Sequence, residues 1–466
     1  MAFAEAKQGQ VFRFWDKLNQ VEREALVSQA NQIDLIELRE GLHQALNSDL
    51  SEAQSFANIE PTPWISLPAD LESDHCWRDA HEQGEELLRK GRVAAFTVAG
   101  GQGTRLGYNG PKGAYPVTPV TKKPLFQVFA EKLKAAEKRY GKNILWFVMT
   151  SEANHSQTKE FFNQSNYFGI SSSSIRFIQQ GMMPAVLETG EIILESPSRI
   201  AMNPDGHGGS FRALANSGAT EEMIKKGIEI ISYFQVDNPL APFLEPSFLG
   251  FHASTGSQMS SRAAPKTGPE EKVGVFCLRN GSLTVIEYSD LPEKLACHRQ
   301  SDGSLTFKAG NLAMHAIDPS FAHKLGKRTH DCKLPFHAAR KKIPTIDEKG
   351  NPVSPKKPNG IKLETFVFDA LPFAKNPCVM EVSRQDAFSP VKNADGTDSI
   401  QTCQADQLRK FARWARAAGA EIDTDASGLP SINFEISAGF ALDHEEFALR
   451  WEEVGKPSII EGTVFT

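Results

Sequence analysis

The sequence predicts an α/β protein with a Rossmann-like, mainly parallel and twisted sheet, an N-terminal helical segment and a small C-terminal lobe. Three observations lead to this fold class. The chain has 466 residues, 40% of them apolar, which is too long for one ordinary domain. Short apolar runs alternate with helical patterns after residue 92, as in a parallel sheet with right-handed crossovers. A glycine-rich loop directly follows the first of these runs, where ligands bind in such sheets.

The N-terminal part has helical periodicity. Apolar residues recur at helical spacing from Val11 to about Leu46, and Asp34 is a candidate cap for a helix that begins at Leu35. The proline-rich stretch PTPWISLP interrupts the pattern. We predict an N-terminal helical domain over residues 1–90 that packs as a cover and carries no catalytic group.

The central domain is predicted over residues 91–387. The runs VAAFTVA, ILWFVMT, IRFIQ and IEIISYFQV are typical of strands, and helices are predicted over 125–140, the stretch EANHSQTKEFFNQ and 211–226. Beyond residue 273, the runs VGVFCL, LTVIEYS and SLTFKAG predict an antiparallel addition. The stretch IPTIDEKGNPVSPKKPNG predicts an exposed excursion. Residues 388–466 are predicted to form a small C-terminal domain.

Composition narrows the choice of partners and compartment. The formal net charge of -6 argues against a nucleic-acid partner, because there is no basic excess to displace counterions. Six scattered cysteines without a CxxC pair favour reduced thiols. No signal-peptide layout or membrane-length apolar run is present in the sequence. We therefore expect a cytoplasmic protein without nucleic-acid or membrane partners, either a monomer or a weak homo-oligomer.

The stretch TVAGGQGTRLGYNGPKGAYPV, residues 97–117, is the strongest local signal. It fails the dinucleotide fingerprint, because Leu106 stands where the third small residue belongs and no acidic residue lies about twenty positions on. It also lacks the Gly-Lys-Ser/Thr ending of a P-loop. What remains is a glycine loop that lets a nucleotide approach the backbone, with Arg105 and Lys112 as candidate phosphate ligands. The alternative is a tight turn with incidental surface charges. Lys122 and Lys123, further along the chain, are predicted to be solvated surface lysines, because a run of charges usually lies on an exposed face.

The residues VAGGQGTRLG at 98–107, followed by PKG at 111–113, resemble the signature of the eukaryotic-type UDP-N-acetylhexosamine pyrophosphorylases. These enzymes are uridylyltransferases of the glycosyltransferase-A-like nucleotidyltransferase group. The resemblance continues in order to about Gly396, through YFGISSSSIRFIQQGMMPA, NPDGHGGSFRAL, FQVDN, KVGVFCL with VIEYS, AGN, KPNGIKLETFVFDALPFA and SPVKNADG. The spellings QGTRLG, PKG and QQGM favour the N-acetylhexosamine branch over relatives that act on UDP-glucose.

The resemblance implies a reaction of UTP with N-acetylglucosamine 1-phosphate that gives UDP-N-acetylglucosamine and pyrophosphate. An oxygen of the sugar phosphate attacks the α-phosphorus in line with the leaving pyrophosphate, so the protein positions the reactants and neutralises charge. The chain has neither a Gly-x-Ser-x-Gly elbow nor a His-Glu-x-x-His motif, as expected for direct transfer. By the same resemblance, Arg105, Lys112 and Lys392 are the catalytic phosphate-handling residues.

The resemblance also assigns nucleotide and metal residues. Gln180 resembles the uracil reader, since one amide can accept from the ring N–H and donate to a carbonyl; a buried glutamine that serves only the fold is the alternative. Asp237, at the end of a predicted strand, is the candidate ligand of the Mg²⁺ cofactor, with a turn-forming Asp before Asn-Pro as the alternative. The implied nucleotide-binding residues are Val98, Ala99, Gly100, Gly101, Gln180 and Gly206.

The sugar-binding residues implied by the resemblance are His207, Glu287, Asn311, Phe366 and Phe368. His207 departs from the pattern, in which Asn is usual, so the choice among N-acetylglucosamine, N-acetylgalactosamine and glucose 1-phosphates stays open. Two other functions also stay open: a UDP-glucose or UDP-sugar pyrophosphorylase of broader specificity, and a non-catalytic nucleotide-sugar-binding protein. The broken dinucleotide fingerprint disfavours a dehydrogenase.

Overall fold

The structure is a computed structural model that describes residues 2–48, 56, 58–69, 74–328 and 332–466. It divides into two compact units, each assembled from three separate stretches of chain. The first unit comprises Met1–Ile59, Gln180–Asn216 and His323–Ala370, and the second comprises Glu60–Gln179, Ser217–Ala322 and Leu371–Thr466. The predicted domains 1–90, 91–387 and 388–466 stay a prediction. Residues 1, 49–55, 57 and 70–73 of the predicted N-terminal segment lie outside the described residues.

Ten strands form the main sheet. In chain order they are β1 (Ile59–Pro61), β2 (Val93–Val98), β3 (Leu145–Thr150), β4 (Ile175–Gln179), β5 (Ile230–Gln235), β6 (Met259–Pro265), β7 (Val275–Arg279), β8 (Ser282–Ile286), β9 (Ala309–Ile317) and β10 (Cys378–Glu381). Their order is β1-β7-β9-β5-β2-β3-β4, with β6 beside β9 and β10, and β8 beside β7.

The centre of the sheet is parallel. Strand β2 pairs in parallel with β3 and β5, and β3 pairs in parallel with β4. Strand β9 is antiparallel to β5 and β6, and β7 is antiparallel to β8. All residues of β2 are buried, as in a strand covered on both faces. This arrangement confirms the predicted α/β class with a parallel centre and an antiparallel addition.

Helices surround these strands. The α-helices are Ala2–Glu5, Gln20–Asn31, Leu35–Ser48, His75–Arg89, Leu125–Tyr140, His155–Gln164, Ser210–Asn216, Ala219–Lys225, Pro246–Ser254, Glu293–Ala296, Pro319–Gly326, Arg384–Ala387, Ile400–Ala417 and His444–Glu453. The 3₁₀ helices are Gly9–Phe12, Trp15–Lys17, Thr104–Leu106, Lys112–Ala114, Asn166–Gly169, Ser172–Ser174, His207–Gly209 and Val367–Phe373. None of the helices in the described ranges is long and apolar enough to cross a membrane.

Two secondary-structure predictions are wrong. The single helix predicted over 211–226 is two helices, because Gly218 adopts a left-handed φ of 76° between them. The strand predicted at SLTFKAG begins only at Ala309 and continues to Ile317. Both parts of the first segment are helical, as the apolar spacing predicts, but periodicity alone does not show where a backbone turns left-handed.

The first unit has its own core. Asp34 Oδ1 accepts hydrogen bonds from the N–H groups of Ile36 and Glu37, at 3.0 and 2.9 Å, which confirms the predicted cap. Its short strands are Met182–Pro184, Leu194–Ser196, Arg199–Ile200, Met202–Pro204, His337–Lys341, Thr345–Ile346, Pro352–Val353 and Gly360–Glu364. Apolar side chains of the N-terminal helices pack on these strands. The predicted exposed excursion holds only in part, because Ile343 and Ile346 within it are buried.

The C-terminal part of the second unit contains a separate apolar cluster around Phe434, Phe447 and Phe465. A two-stranded pair, Glu435–Ile436 with Val464–Phe465, lies beside it. All six cysteines fall in the described ranges, and none of them forms a disulfide.

Candidate functional site

The glycine loop and Asp237 lie at the same edge of the sheet. Strands β2 and β5 are parallel neighbours, with Val98 opposite Gln235. Just beyond the strands, the N–H of Val236 donates to the carbonyl of Val98 at 3.1 Å. The two segments after these strands therefore meet beyond the carboxyl ends, where ligands bind in open α/β sheets.

Two buried polar side chains fix the glycine loop. The amide of Asn154 donates to the carbonyls of Ala99 and Gly101, at 2.9 and 3.1 Å. The hydroxyl of Ser151 donates to the carbonyl of Gly100 at 2.7 Å. Three consecutive carbonyls are thus held from the segment after β3, which gives the loop a defined backbone. Sequence reasoning missed Asn154 and Ser151.

Gly103 and Gly101 have different surroundings in this loop. A Cβ on Gly103 would lie 2.8 Å from the ring of Tyr108, so the close packing there requires glycine. A Cβ on Gly101 would meet only the Lys112 side chain, at 3.9 Å. The space over Gly101 is therefore open, and a ligand can come close to the backbone at this position.

A lysine and a carboxylate face each other beside the loop. Lys112 Nζ lies 3.5 Å from Asp237 Oδ2, and the two side chains are 17% and 18% exposed. The N–H of Lys112 also donates to the carbonyl of Gly101 at 3.1 Å. Arg105 is exposed and lies on the 3₁₀ turn Thr104–Leu106 of the same loop. The arrangement offers cations for phosphate oxygens and one carboxylate for a metal ion.

The segment that carries Lys392 is joined to the Asp237 turn. The N–H of Val391 donates to the carbonyl of Asp237 at 2.8 Å. The buried Asn238 donates through Nδ2 to the carbonyl of Ala387 at 2.8 Å, and its Oδ1 accepts from the N–H of Ser389 at 3.1 Å. Lys392 Nζ itself lies 3.8 Å from Asp398 Oδ2, a partly exposed pair. Within the second unit, Lys112 is therefore hydrogen-bonded to the glycine loop, and the segment that carries Lys392 is hydrogen-bonded to the Asp237 turn.

Lys132 supports the same turn from the helix Leu125–Tyr140. Its Nζ donates to the carbonyls of Pro239 and Ala241, at 2.6 and 2.9 Å. Burial, and to a lesser extent the nearby Lys410 ammonium, holds the pKa of Lys132 well below its usual value. Lys132 and Asn238 thus fix the chain directly after Asp237, and neither was found from the sequence.

Replacing Asn238 by Ala is expected to lower the free energy of unfolding by about 2–4 kcal/mol, because the N–H of Ser389 and the carbonyl of Ala387 lose their buried partner. Urea unfolding followed by tryptophan fluorescence measures the change. Ser389→Ala is the matched control, since it removes the hydroxyl and its 2.7 Å bond to Asp406 but keeps the Ser389 N–H that binds Asn238. Equal stability losses in the two variants would contradict the role given to Asn238.

Asp237 is suited to a metal ion that is bound mainly through the phosphate oxygens of a substrate. Among the described residues, no cluster of three or more His, Cys, Asp or Glu side chains could hold a metal. Mg²⁺ commonly takes one or two protein carboxylates and completes its shell with phosphate oxygens and water. Asp237, next to the glycine loop, fits such a site.

Glu287 and Asn311 are neighbours in the antiparallel part of the second unit. The N–H of Asn311 donates to the carbonyl of Gly274 at 2.8 Å. A Cβ on Gly274 would lie 3.0 Å from Glu287 Oε1. Gly274, directly before strand β7, thus separates the two predicted sugar residues.

The first unit holds the other predicted residues, Gln180, Gly206, His207, Phe366 and Phe368. Gln180 Nε2 donates to the carbonyl of Gly206 at 2.6 Å. Gly206 has a φ of 82°, and a Cβ there would overlap the backbone of Thr365, so only glycine fits. The Gln180 amide is therefore tied to this rigid glycine turn.

His207 organises the two phenylalanines. Its Nδ1 accepts from the N–H of Val367 at 3.0 Å. The imidazole stacks on Phe366, with ring centroids 5.2 Å apart and planes at 22°, and lies 5.7 Å from the Phe368 ring. Burial, together with the nearby His337, lowers the pKa of His207 to about 4. The ring is therefore neutral at pH 7 and carries its one N–H on Nε2.

The sequence matches the model of the UTP–glucose-1-phosphate uridylyltransferase family over residues 43–406. It is 38% identical over 439 residues to the UDP-N-acetylhexosamine pyrophosphorylase-like protein 1 of Xenopus tropicalis, covering 91% of this chain and 86% of that protein. It is 36% identical over 441 residues to the UDP-N-acetylglucosamine pyrophosphorylase of Saccharomyces cerevisiae, covering 90% of this chain and 91% of the yeast protein. The crystal structure of the Trypanosoma brucei uridine diphosphate N-acetylglucosamine pyrophosphorylase is similar with a TM-score of 0.85 and 28% identity, covering 100% of this chain and 96% of that one.

Proposed function

The chain belongs to the UTP–glucose-1-phosphate uridylyltransferase family, and from that membership we propose its reaction. It is a nucleotidyltransferase that transfers the uridylyl group of UTP to N-acetylglucosamine 1-phosphate, giving UDP-N-acetylglucosamine and pyrophosphate. The observation that carries the proposal is the position of Lys112 and Asp237, 3.5 Å apart beside the glycine loop at the carboxyl ends of β2 and β5. An ammonium and a carboxylate at this edge suit a metal-bound triphosphate.

The protein's part in the transfer is to hold the reactants and to neutralise charge. Lys112, Arg105 and Lys392 are proposed to bind phosphate oxygens, so that the sugar phosphate can approach the α-phosphorus without repulsion between the two anions. Asp237 is proposed to hold Mg²⁺, whose chemistry here is to neutralise the triphosphate. The sugar phosphate itself is the nucleophile, so no covalent intermediate with the protein is required.

Both backbone and side-chain groups are proposed to bind the nucleotide. Gln180 is proposed to read the uracil edge, and the open backbone at Gly101 is proposed to let the nucleotide approach closely. The other residues proposed to bind the nucleotide are Val98, Ala99, Gly100 and Gly206.

In the first unit, His207 is proposed to bind the sugar as a polar group, with Phe366 and Phe368 as an apolar wall. In the second unit, Glu287 and Asn311 are proposed to bind the sugar as polar groups. Stacking of His207 on Phe366 and its bond to Val367 support a role in shaping that wall. A neutral imidazole whose Nδ1 is already used offers one donor to a sugar hydroxyl or amide. The asparagine usual at this position offers both a donor and an acceptor.

His207→Asn is expected to shift sugar preference more than UTP affinity. The kcat/KM ratio between N-acetylglucosamine 1-phosphate and glucose 1-phosphate should change by about three- to tenfold, the value of one hydrogen bond, while the KM for UTP stays within about twofold. A coupled pyrophosphate assay measures both quantities. An unchanged ratio between the two sugar phosphates would refute the assignment.

His207 also supports a second candidate, a UDP-sugar or UDP-glucose pyrophosphorylase of broader specificity with the same mechanism. The presence of Arg105, Lys112, Asp237 and Lys392 argues against a non-catalytic nucleotide-sugar-binding protein. The net charge and scattered cysteines support a cytoplasmic enzyme without nucleic-acid or membrane partners. The proposed state is a monomer or a weak homo-oligomer.

Pyrophosphate release from UTP with a panel of hexosamine and hexose 1-phosphates tests the proposal. We expect the highest kcat/KM with N-acetylglucosamine 1-phosphate in the presence of Mg²⁺. A higher value with glucose 1-phosphate would favour the second candidate. No release with any sugar phosphate would contradict both.

A further inference from the structure

Asp205 is a buried carboxylate that the proposed mechanism does not use. It is 2% exposed, and neither carboxylate oxygen makes a hydrogen bond of normal geometry to a described residue. Its oxygens pack instead on glycines: a Cβ on Gly181 would lie 2.5 Å from Oδ2, and a Cβ on Gly209 would overlap Oδ1. Burying an ionised group without hydrogen-bond partners costs free energy, so an unsatisfied carboxylate of this kind calls for an explanation.

The backbone around Asp205 leaves it little freedom. Its N–H donates to the carbonyl of Gly181 at 3.1 Å, and its carbonyl accepts from the N–H of Thr365 at 2.8 Å. Thr365 also accepts from the N–H of Gly208 at 2.8 Å. The Asp205 carboxylate is therefore held against the residue that directly follows Gln180.

The Gln180 amide is held from the same turn. Its Nε2 donates to the carbonyl of Gly206, the residue after Asp205, at 2.6 Å. A carboxylate only accepts hydrogen bonds, so it attracts the NH₂ end of a neighbouring amide and repels the carbonyl end. The Gly206 carbonyl and the Asp205 carboxylate therefore favour the same orientation of the Gln180 amide, with Nε2 toward the turn and Oε1 away from it.

We propose that Asp205 is a positioning residue that fixes the orientation of the Gln180 amide and thereby makes the site select uracil over cytosine. The inference rests on the proposed uridylyl transfer and on Gln180 as the reader of the base. With Nε2 engaged, Oε1 is the group presented to the base. It can accept from the N3–H of uracil, whereas N3 of cytosine is itself an acceptor and would repel it.

Two arginines lie near Asp205, across a small cavity. Arg212 and Arg328 line a cavity of about 20 Å³ with it, and Arg212 is bound to Glu37 at 2.6 Å. Burial raises the pKa of Asp205 to about 6, while Arg212 and the Gln180 amide act in the opposite direction. Asp34 lies close enough to interact electrostatically with Arg212. Above pH 6 the group only accepts hydrogen bonds, and below pH 6 it gains a donor that can bind Gln180 Oε1.

Asp205→Asn tests the proposal, because the amide supplies an NH₂ donor where the carboxylate only accepts. We expect the kcat/KM ratio of UTP to CTP at pH 8 to fall at least tenfold, about the value of one hydrogen bond to a charged group. A purely structural role would lower the melting temperature and leave this ratio unchanged. Glu37→Gln is the matched control, since it removes a carboxylate from Arg212 and leaves the Gln180 turn intact; its ratio should equal that of the wild type.

The wild-type enzyme provides a second readout that needs no variant. Its kcat/KM ratio of UTP to CTP should fall as the pH drops from 8 to 5.5. Ionisation of the triphosphate does not affect this ratio, because it is alike in both nucleotides. If the variant is inactive with both nucleotides, this pH profile decides. A constant wild-type ratio, or an Asp205→Asn variant with normal selectivity, overturns the inference. Absence of wild-type activity with UTP and every sugar phosphate would instead be the failure of the proposed function.

Discussion

Replacing Lys112 by Ala is expected to lower kcat/KM for UTP by about 10²–10³-fold, the usual effect of losing one group that stabilises charge in a transition state. Lys112 is held by the Gly101 carbonyl and faces Asp237 at 3.5 Å, so its charge lies at the edge of the sheet where the triphosphate is proposed to bind. Steady-state kinetics of pyrophosphate release measures the change.

Lys138→Ala is the matched control for this prediction. Lys138 is an exposed lysine on the helix Leu125–Tyr140, so its removal changes the net charge by the same amount away from the site. The control should retain wild-type kcat/KM. Similar activity in the two variants would mean that Lys112 has no role in phosphate binding.

Replacing Asp237 by Asn is expected to lower kcat by about 100-fold and to raise the Mg²⁺ concentration needed for half-maximal activity. The change keeps the shape of the side chain and removes the charge that a divalent ion needs. The backbone bond from Val391 to the Asp237 carbonyl does not depend on the side chain, so the turn should persist. Kinetics across a Mg²⁺ titration, with Asp290→Asn on the exposed surface as the control, measures both effects.

The outcome for Asp237→Asn separates the two interpretations of this residue. An aspartate that only forms a turn before Asn-Pro would leave the Mg²⁺ requirement unchanged, because asparagine forms the same turn. A shifted requirement at constant melting temperature supports metal binding.

The fold class was predictable because its signals are local. Strand β2 is a fully apolar run that ends at a glycine loop, and the predicted helix over 125–140 matches the observed Leu125–Tyr140. Parallel neighbours follow from alternation of strands and helices, and the position of Asp237 beside the glycine loop follows from that topology.

The supporting residues were not predictable, because they act across long stretches of chain. Asn154 contacts Ala99 and Gly101, and Asn238 contacts Ala387 and Ser389, yet a single asparagine has no pattern in the sequence. The two compact units are likewise assembled from interleaved stretches, which periodicity within a short window does not reveal.

Lys123 shows the same limit. The prediction that Lys123 is a solvated surface lysine is wrong. Its side chain is only 13% exposed, and its Nζ lies 2.9 Å from Glu131 Oε2 and 3.7 Å from Glu435 Oε1. Glu435 is more than 300 positions away in the sequence, so the charge run alone could not identify this pairing.

The most direct test of direct uridylyl transfer follows the phosphorus atoms of UTP. The enzyme would be incubated with Mg²⁺, N-acetylglucosamine 1-phosphate and UTP labelled at either the α- or the γ-phosphate. In-line attack at the α-phosphorus predicts that the α-label appears only in UDP-N-acetylglucosamine and the γ-label only in pyrophosphate, with none bound to the protein. An α-label in pyrophosphate or covalently on the enzyme, or no labelled nucleotide sugar at all, would contradict it.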